Sequence, residues 1–375
     1  MKTALVIGGT GPTGPVIVEG LLDRDYTVTI LHTGLHEVEF PRPVAHIHAD
    51  PHFAETLDAA LTGLTFDLII ASYGRLRLTC EAARGRTGRF ICISGNGGYA
   101  ARDDPRWGGL GMPALPDERG PWEGDESKSK IHYLMHASEE RVLELDAAGE
   151  YAATIIRPST MYGPRQPAPQ EWSVVRRALD RRSKLIVADG GLKLHSRVFT
   201  ENVAGAILLT VDEGERSAGK RYNVRDEHLY TNRQWIEAIA RILGWEFELV
   251  SLPWELARPC HPFWMHDPNH RTMSDASIRA ELGYVDRVST GEALERTVRA
   301  LAADPPSSGG AVEDQLGDPF DYEQEDALLS AWAAASAEAA AVDFALPAPA
   351  HRYRHPKKPG DSWERPLAGG IRIDQ

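Results

Sequence analysis

Thr3-Ala4-Leu5-Val6-Ile7, followed by Gly8-Gly9-Thr10-Gly11-Pro12-Thr13-Gly14, reads as a short apolar strand that ends in a glycine-rich turn. A helical pattern comes next, with Val16, Ile17, Leu21 and Leu22 on one side, and Tyr26–Leu31 reads as a β-branched strand. The order strand, glycine turn, helix, strand is a βαβ unit. Gly8 permits the tight turn, Gly11 lets backbone approach a pyrophosphate, and Gly14 lets the helix pack on the strand. The pyrophosphate sits at the helix N-terminus, where free N–H groups and the macrodipole favour an anion. Thr10, Pro12 and Thr13 belong to the same cofactor-binding turn. The spacing G-x-x-G-x-x-G departs from G-x-G-x-x-G, and the strand and helix around it carry the assignment.

A strand of this kind that meets NAD usually ends in Asp or Glu, which binds the ribose hydroxyls. Here it ends Leu31-His32-Thr33-Gly34. A carboxylate would repel a 2′-phosphate, so its absence leans towards NADP, with His32 and Thr33 as phosphate contacts. No arginine is adjacent, and NAD stays open.

Outward from this unit the chain alternates. Strands are expected at His46–His48, Asp67–Ser72, Arg89–Ser94 and Ala152–Ile156. Helices are expected at Phe53–Leu61, Arg75–Ala83 and Lys128–Leu145. A long Gly- and Pro-rich loop fills Gly95–Asp125. Such alternation predicts an α/β fold, a Rossmann-type doubly wound parallel sheet, with a smaller C-terminal substrate domain. The expected division is a dinucleotide-binding domain over 1–165, completed by about 196–230, and a substrate region over 166–195 and 231–300. A C-terminal extension over 301–375 holds one helix and a basic tail. Ser72 and Tyr73, at a strand end, are expected near the cofactor ribose.

The chain has 375 residues, of which 42% are hydrophobic and 25% charged, so a sizeable core is available. The net charge of −13 argues against nucleic acid as partner. No apolar run approaches the roughly 20 residues that span a bilayer, and no signal-type core opens the chain. Three cysteines make no disulfide framework and fit a reducing compartment. These features predict a cytoplasmic protein without a membrane partner.

Several ordered blocks now resemble the extended short-chain dehydrogenase family, the NAD-dependent epimerase/dehydratase group. Beside Gly8–Gly14, Ala49-Asp50 resembles the acidic position that contacts adenine. Arg89–Ser94 resembles the strand ending in the active-site serine, and Tyr99 the tyrosine a few residues on. Ile155-Ile156-Arg157-Pro158-Ser159-Thr160-Met161-Tyr162-Gly163-Pro164-Arg165 is similar to R-P-x-x-x-Y-G-P-R. Phe199–Ala204 resembles F-V-x-V-x-D-V-A, and Tyr222-Asn223-Val224 resembles Y-N-V/I-G. The resemblance implies cofactor contacts from Arg157 and Pro158, and a homodimer through the helices near Arg75–Ala83 and Lys128–Leu145.

One block departs from the family. Its catalytic pair is Y-x-x-x-K on a helix, where Tyr and Lys share a face and the ammonium lowers the Tyr pKa and holds the ribose. No tyrosine in this sequence has a Lys four residues later. In the helix Lys128–Leu145, Tyr133 is followed by Ala137, and a second alignment puts His132 and His136 in the two places. The catalytic candidates are therefore Ser94, which orients a substrate oxygen, with Tyr133, His132 and His136 as proton donors. Substrate candidates are Tyr99, Arg165 and Arg197, together with His261 and Trp264 from the aromatic segment Ser251–Asp275. Cys260, His261, His266 and His270 match no zinc spacing, and no metal is expected.

The expected function is an NAD(P)-dependent oxidoreductase or epimerase acting on a small organic carbonyl or hydroxyl substrate, with an atypical proton donor. Two alternatives remain: a non-catalytic dinucleotide-binding sensor, and a dehydratase or lyase of the same fold.

Overall fold

The computed structural model describes residues 2–95, 99, 114–122, 124–260, 269–343 and 359. The chain divides into two compact units, Met1–Asp321 and Tyr322–Gln375. In the second, the described structure is one helix over Tyr322–Ala340.

The first unit opens with β1 (Lys2–Ile7), α1 (Gly14–Leu22), β2 (Tyr26–His32), β3 (Ala45–His48), α2 (Ala54–Leu61), β4 (Leu68–Ala71), α3 (Leu76–Ala82), β5 (Arg89–Ile93), α4 (Lys130–Ala147) and β6 (Ala152–Pro158). It continues with β7 (Thr160–Tyr162), α5 (Trp172–Leu179), β8 (Lys184–Ala188), β9 (Leu194–His195), β10 (Arg197–Phe199), α6 (Thr200–Asp212), α7 (Gly214–Ser217) and β11 (Lys220–Val224). Then come β12 (Tyr230–Thr231), α8 (Asn232–Ile242), β13 (Glu248–Leu252), α9 (Trp254–Ala257), α10 (Ala276–Leu282), α11 (Thr290–Ala303) and α12 (Ala311–Leu316).

Seven strands form one sheet in the order β11-β6-β5-β4-β1-β2-β3, and every neighbouring pair is parallel. Period-two alternation sends β1 side chains to both faces. Ala4 and Val6 pack with Ile17, Val18 and Leu21 of α1 and with Val203 and Ile207 of α6. Leu5 and Ile7 pack with Leu57 of α2, Cys80 of α3 and Val142 of α4. The chain leaves β1 towards β2 and β3, then returns to build β4, β5 and β6 on the other side. That reversal between β1 and β4 is where doubly wound sheets hold ligands, at the carboxyl ends of the strands.

The remaining strands form small pairs outside this sheet: β7 with β10, β8 with β13, and β9 with β12. The chain beyond α11 is pinned onto α5 by polar contacts. Trp172 donates its indole N–H to Glu313 at 2.9 Å. Arg177, buried, holds Asp318 through two nitrogens at 2.6 and 2.9 Å. Gly317, at φ 66°, closes α12 in the left-handed conformation that glycine adopts without strain.

Removing one partner of a buried ion pair strands the other charge, at a cost of about 3–5 kcal/mol. Asp318→Ala is therefore expected to lower the unfolding free energy by that order, read as a lower urea midpoint at unchanged slope. A midpoint within error of wild type would contradict the buried pairing.

Candidate functional site

The glycine turn sits at the reversal point of the sheet. Gly8 takes φ 95°, and its N–H donates to Leu31 O at 2.9 Å, so the turn is anchored to β2. A Cβ on Gly14 would collide with the carbonyl of Gly9, and one on Gly9 with the Ile30 side chain. Gly11 differs: a Cβ there meets only Gly8 O, at an ordinary 3.5 Å. The fold thus needs Gly14 and Gly9 for packing, while Gly11 has room on its outer side. Gly9 is a requirement that the sequence pattern concealed, because only the β2 side chain above it demands the glycine. No side-chain hydrogen bond caps the start of α1, and Pro15 enters its first turn, which leaves an uncapped helix N-terminus for an anion. Ser72 and Tyr73 stand directly against Gly8, beside the turn as the sequence implied. Ser72 also donates its hydroxyl to Ile7 O at 3.0 Å.

The ends of β2 and β3 carry a histidine cluster. His32 is buried, and burial pushes its imidazole below the ordinary histidine range. Its Nε2 lies 3.8 Å from a carboxylate oxygen of Glu37. Thr33 is half-buried beside it. Asp50, the expected adenine contact, accepts the His52 backbone N–H at 2.9 Å and meets the His52 ring at 2.7 Å. Those bonds hold its carboxyl below the usual range.

Ser94 follows β5 and lines a cavity of about 290 Å³ between α3 and α4. The α4 residues on that cavity are Ile131, Leu134, Met135 and Ser138. Met135 reaches Gly95, where a Cβ would strike its methyl carbon. At 3.6 residues per turn, 131 and 135 share a face. Ile131 and Met135 form one of two i, i+4 pairs on this cavity, the other being Leu134 and Ser138, and Met135 is the one that reaches the backbone beside Ser94. Ile131 and Met135 do not titrate, and neither tyrosine nor histidine alignment pointed to them, because an apolar replacement leaves no mark in a helix. Tyr133, two positions from Ile131, lies on the opposite side of α4. His132 and His136 lie between these faces. His136 stacks on Trp122 with ring centroids 5.8 Å apart, and its Nδ1 is buried without a hydrogen-bond partner.

The rotation of α4 is set by Glu139. Its carboxylate, fully buried, accepts from Arg157 Nε at 2.9 and 3.0 Å and also binds Nη2. The Arg157 guanidinium stacks 3.9 Å above the Trp122 ring. Burial opposes its charge, and Glu139 more than offsets that, so Arg157 stands above the ordinary arginine range. Arg157, a residue of β6, is thus enclosed against α4, with Pro158 buried after it. Tyr99 is 2% exposed and donates to Asn223 Oδ1 at 2.7 Å. It is a packing residue in this geometry. Arg197, also buried, bonds Asn232 Oδ1 at 3.0 Å and stacks over Trp235. Arg165 is exposed, at φ 71°. His261 and Trp264, with His266, lie outside the described residues. Tyr162 and Asn202, from two motif blocks, both donate to buried Asp226, at 2.6 and 2.8 Å, so these blocks hold the domain together.

Residues 129–224 match the family model of the NAD dependent epimerase/dehydratase family, which bears out the resemblance drawn from the motifs. The Uncharacterized protein y4nL of Sinorhizobium fredii (strain NBRC 101917 / NGR234) is 24% identical over 235 residues, 61% of this chain. The chain spans about 59% of the length of that relative. Among solved structures, UDP-glucose 4-epimerase from Thermotoga maritima superposes with a TM-score of 0.61 at 17% identity, over 80% of this chain and 99% of the other. dTDP-glucose 4,6-dehydratase from Bacillus anthracis str. Ames, in complex with NAD, gives 0.62 at 16% identity, over 81% and 97%. At these identities the likeness is one of fold.

The two glycines separate packing from binding. Gly11→Ala is expected to keep the wild-type melting temperature and to weaken nicotinamide dinucleotide binding at least about tenfold, read by fluorescence titration. Gly14→Ala is expected to lower both. Unchanged nucleotide affinity in Gly11→Ala would remove the turn from the binding site.

Proposed function

We propose that the protein is a nicotinamide-dinucleotide-dependent oxidoreductase or epimerase that acts on a small organic carbonyl or hydroxyl substrate. The observation that carries this reading is the alignment of the open Gly11 turn, the Ser72–Tyr73 strand end and Ser94 along one row of strand ends. The dinucleotide, when bound, supplies the hydride chemistry. The uncapped start of α1 would hold its pyrophosphate, and Gly11 would let backbone approach it. Ser94 would hydrogen-bond the substrate oxygen. No tyrosine of the sequence has a lysine four residues on, and Ile131 and Met135 line the cavity at Ser94, so the proposed proton donor is a group other than a Tyr–Lys pair. Of the α4 candidates, His136 is half-buried against Trp122, with its Nδ1 3.8 Å from a Glu140 carboxylate oxygen, and it is the one we put forward as proton donor. Tyr133, on the far side of the helix, has the least support.

The geometry also shifts the cofactor preference. The missing acid after β2 favoured NADP, but Glu37 brings a carboxylate to within 3.8 Å of His32. A carboxylate there opposes a 2′-phosphate as long as its charge is not neutralised, and together with the NAD complex of the similar dehydratase this supports NAD. The matched solved structures bear the names of nucleotide-sugar enzymes, which makes UDP- and dTDP-sugars the first substrates to try. No helix among the described residues is long and apolar enough to cross a membrane. A cytoplasmic homodimer pairing through α3 and α4 remains part of the proposal.

A second reading is a dinucleotide-binding sensor without turnover, favoured by the apolar face of α4. Nucleotide released from the purified protein and identified by mass, followed by NADH oxidation over a carbonyl panel, separates the two. Ser94→Ala is expected to abolish turnover with nucleotide affinity unchanged, and His136→Gln to lower turnover at least about tenfold, within the usual contribution of a general acid. Binding without turnover of any substrate would favour the sensor. Absence of nucleotide binding would overturn both readings.

A further inference from the structure

The sheet edge at β2 and β3 gathers side chains that take no part in the proposed hydride transfer, although Glu37 bears on the cofactor's 2′ position. His46 and His48, two residues apart on β3, project from one face. His32 stands opposite His48 in the parallel register. The connection from β2 to β3 returns Glu37 over them. One ligand atom from each of these four residues lies within 4.8 Å of every other.

We propose that His32, Glu37, His46 and His48 bind a divalent transition-metal ion of the zinc class. Four-coordinate zinc takes imidazole nitrogen and carboxylate oxygen at about 2.0–2.2 Å, which sets tetrahedral ligand–ligand separations of about 3.3–3.6 Å. Here His32 Nε2 and His46 Nδ1 are 3.1 Å apart. Glu37 Oε2 lies 3.3 Å from His46 Nδ1 and 3.8 Å from His32 Nε2, and Glu37 Oε1 lies 3.2 Å from His48 Nε2. The separations among His32, His46 and Glu37 are close to those edges, and His48 stands within 4.8 Å of the other three, so small side-chain rotations would close the tetrahedron.

Proton bookkeeping points the same way. His32 Nδ1 accepts the Gly34 N–H at 3.2 Å, so in the neutral ring Nε2 carries the proton and faces His46 Nδ1. The His46 lone pair is then also turned towards a carboxylate oxygen, and a cation between them removes that opposition. Ligation through His32 Nε2 moves its proton to Nδ1, and the Gly34 contact must open. Three imidazoles suit zinc, copper or nickel better than magnesium or calcium. An anion is disfavoured at the same centre by Glu37. Arg42 of the same connection is turned away to Asp23 at 2.5 Å. The Glu37 and His48 side chains are 54% and 60% exposed, which gives an ion a route from solvent.

The test is titration of the chelator-stripped full chain with Zn²⁺ against a chromophoric competitor, with Co²⁺ absorption as the report on geometry. The expected result is one tight ion per chain and the intense visible bands of tetrahedral Co²⁺. His46→Ala/His48→Ala is expected to abolish both, and Glu37→Gln to weaken Zn²⁺ affinity about tenfold or more. Glu37 is exposed, so that variant keeps the readout if the double variant fails to fold. His36→Ala, in the same connection but outside the cluster, is expected to bind as wild type. Weak binding of several ions, or tight binding that Glu37→Gln leaves unchanged, would overturn the assignment.

Discussion

The buried ion pair between Glu139 and Arg157 fixes what the rest of the site is able to do. It joins α4 to β6 at a point where neither charge meets water, Arg221 of β11 adds a second contact to Glu139 at 3.2 Å, and removing Glu139 would strand the buried guanidinium. Trp122 covers the guanidinium and Tyr99 lies against it, so the pair is sealed by stacking as well as by charge. A helix held in this way cannot turn about its axis. With Glu139 committed to Arg157, Met135 is the α4 residue left against the backbone beside Ser94. The chemistry of the site follows from a packing constraint one turn away.

This separates two things that the motif blocks combine. Arg157, Tyr162, Asn202 and Asn223 sit in blocks that resemble the epimerase/dehydratase group, and each is spent on internal bonds. They build the frame between the sheet and the smaller strand pairs. The glycine turn and Ser94 face open space instead. A protein can keep the frame and the nucleotide turn while the helix face between them changes its chemistry.

The fold was legible in the sequence because its signals are local. Thr3–Ile7, the glycine turn and the α1 pattern specify a βαβ unit within thirty-odd residues, and the later alternation repeats it. The apolar alternation of β1 also carries both cores. The site was less legible for a physical reason. A helix position is identified by what it faces, and the rotation of α4 depends on Arg157, which is distant in sequence. Tyr133, His132 and His136 drew attention because they titrate, whereas Ile131 and Met135 carry no such mark. Glu37 was hidden in a loop whose path across β3 no periodicity encodes. His46 and His48 read simply as a strand, and the H-x-H alternation was the available signal.

α4 turns Met135, rather than a titratable pair, to the cavity at Ser94, where we propose that the nicotinamide end of a bound dinucleotide comes to lie. The most direct measurement is the methyl spectrum of ¹³C-methyl-methionine protein titrated with NADH, with the Met135 signal assigned by Met135→Leu. The account predicts a large shift of that resonance on binding, since an aromatic ring comes to rest against it. Saturable binding with the Met135 signal unmoved would contradict the account and turn a different face of α4 to the cofactor.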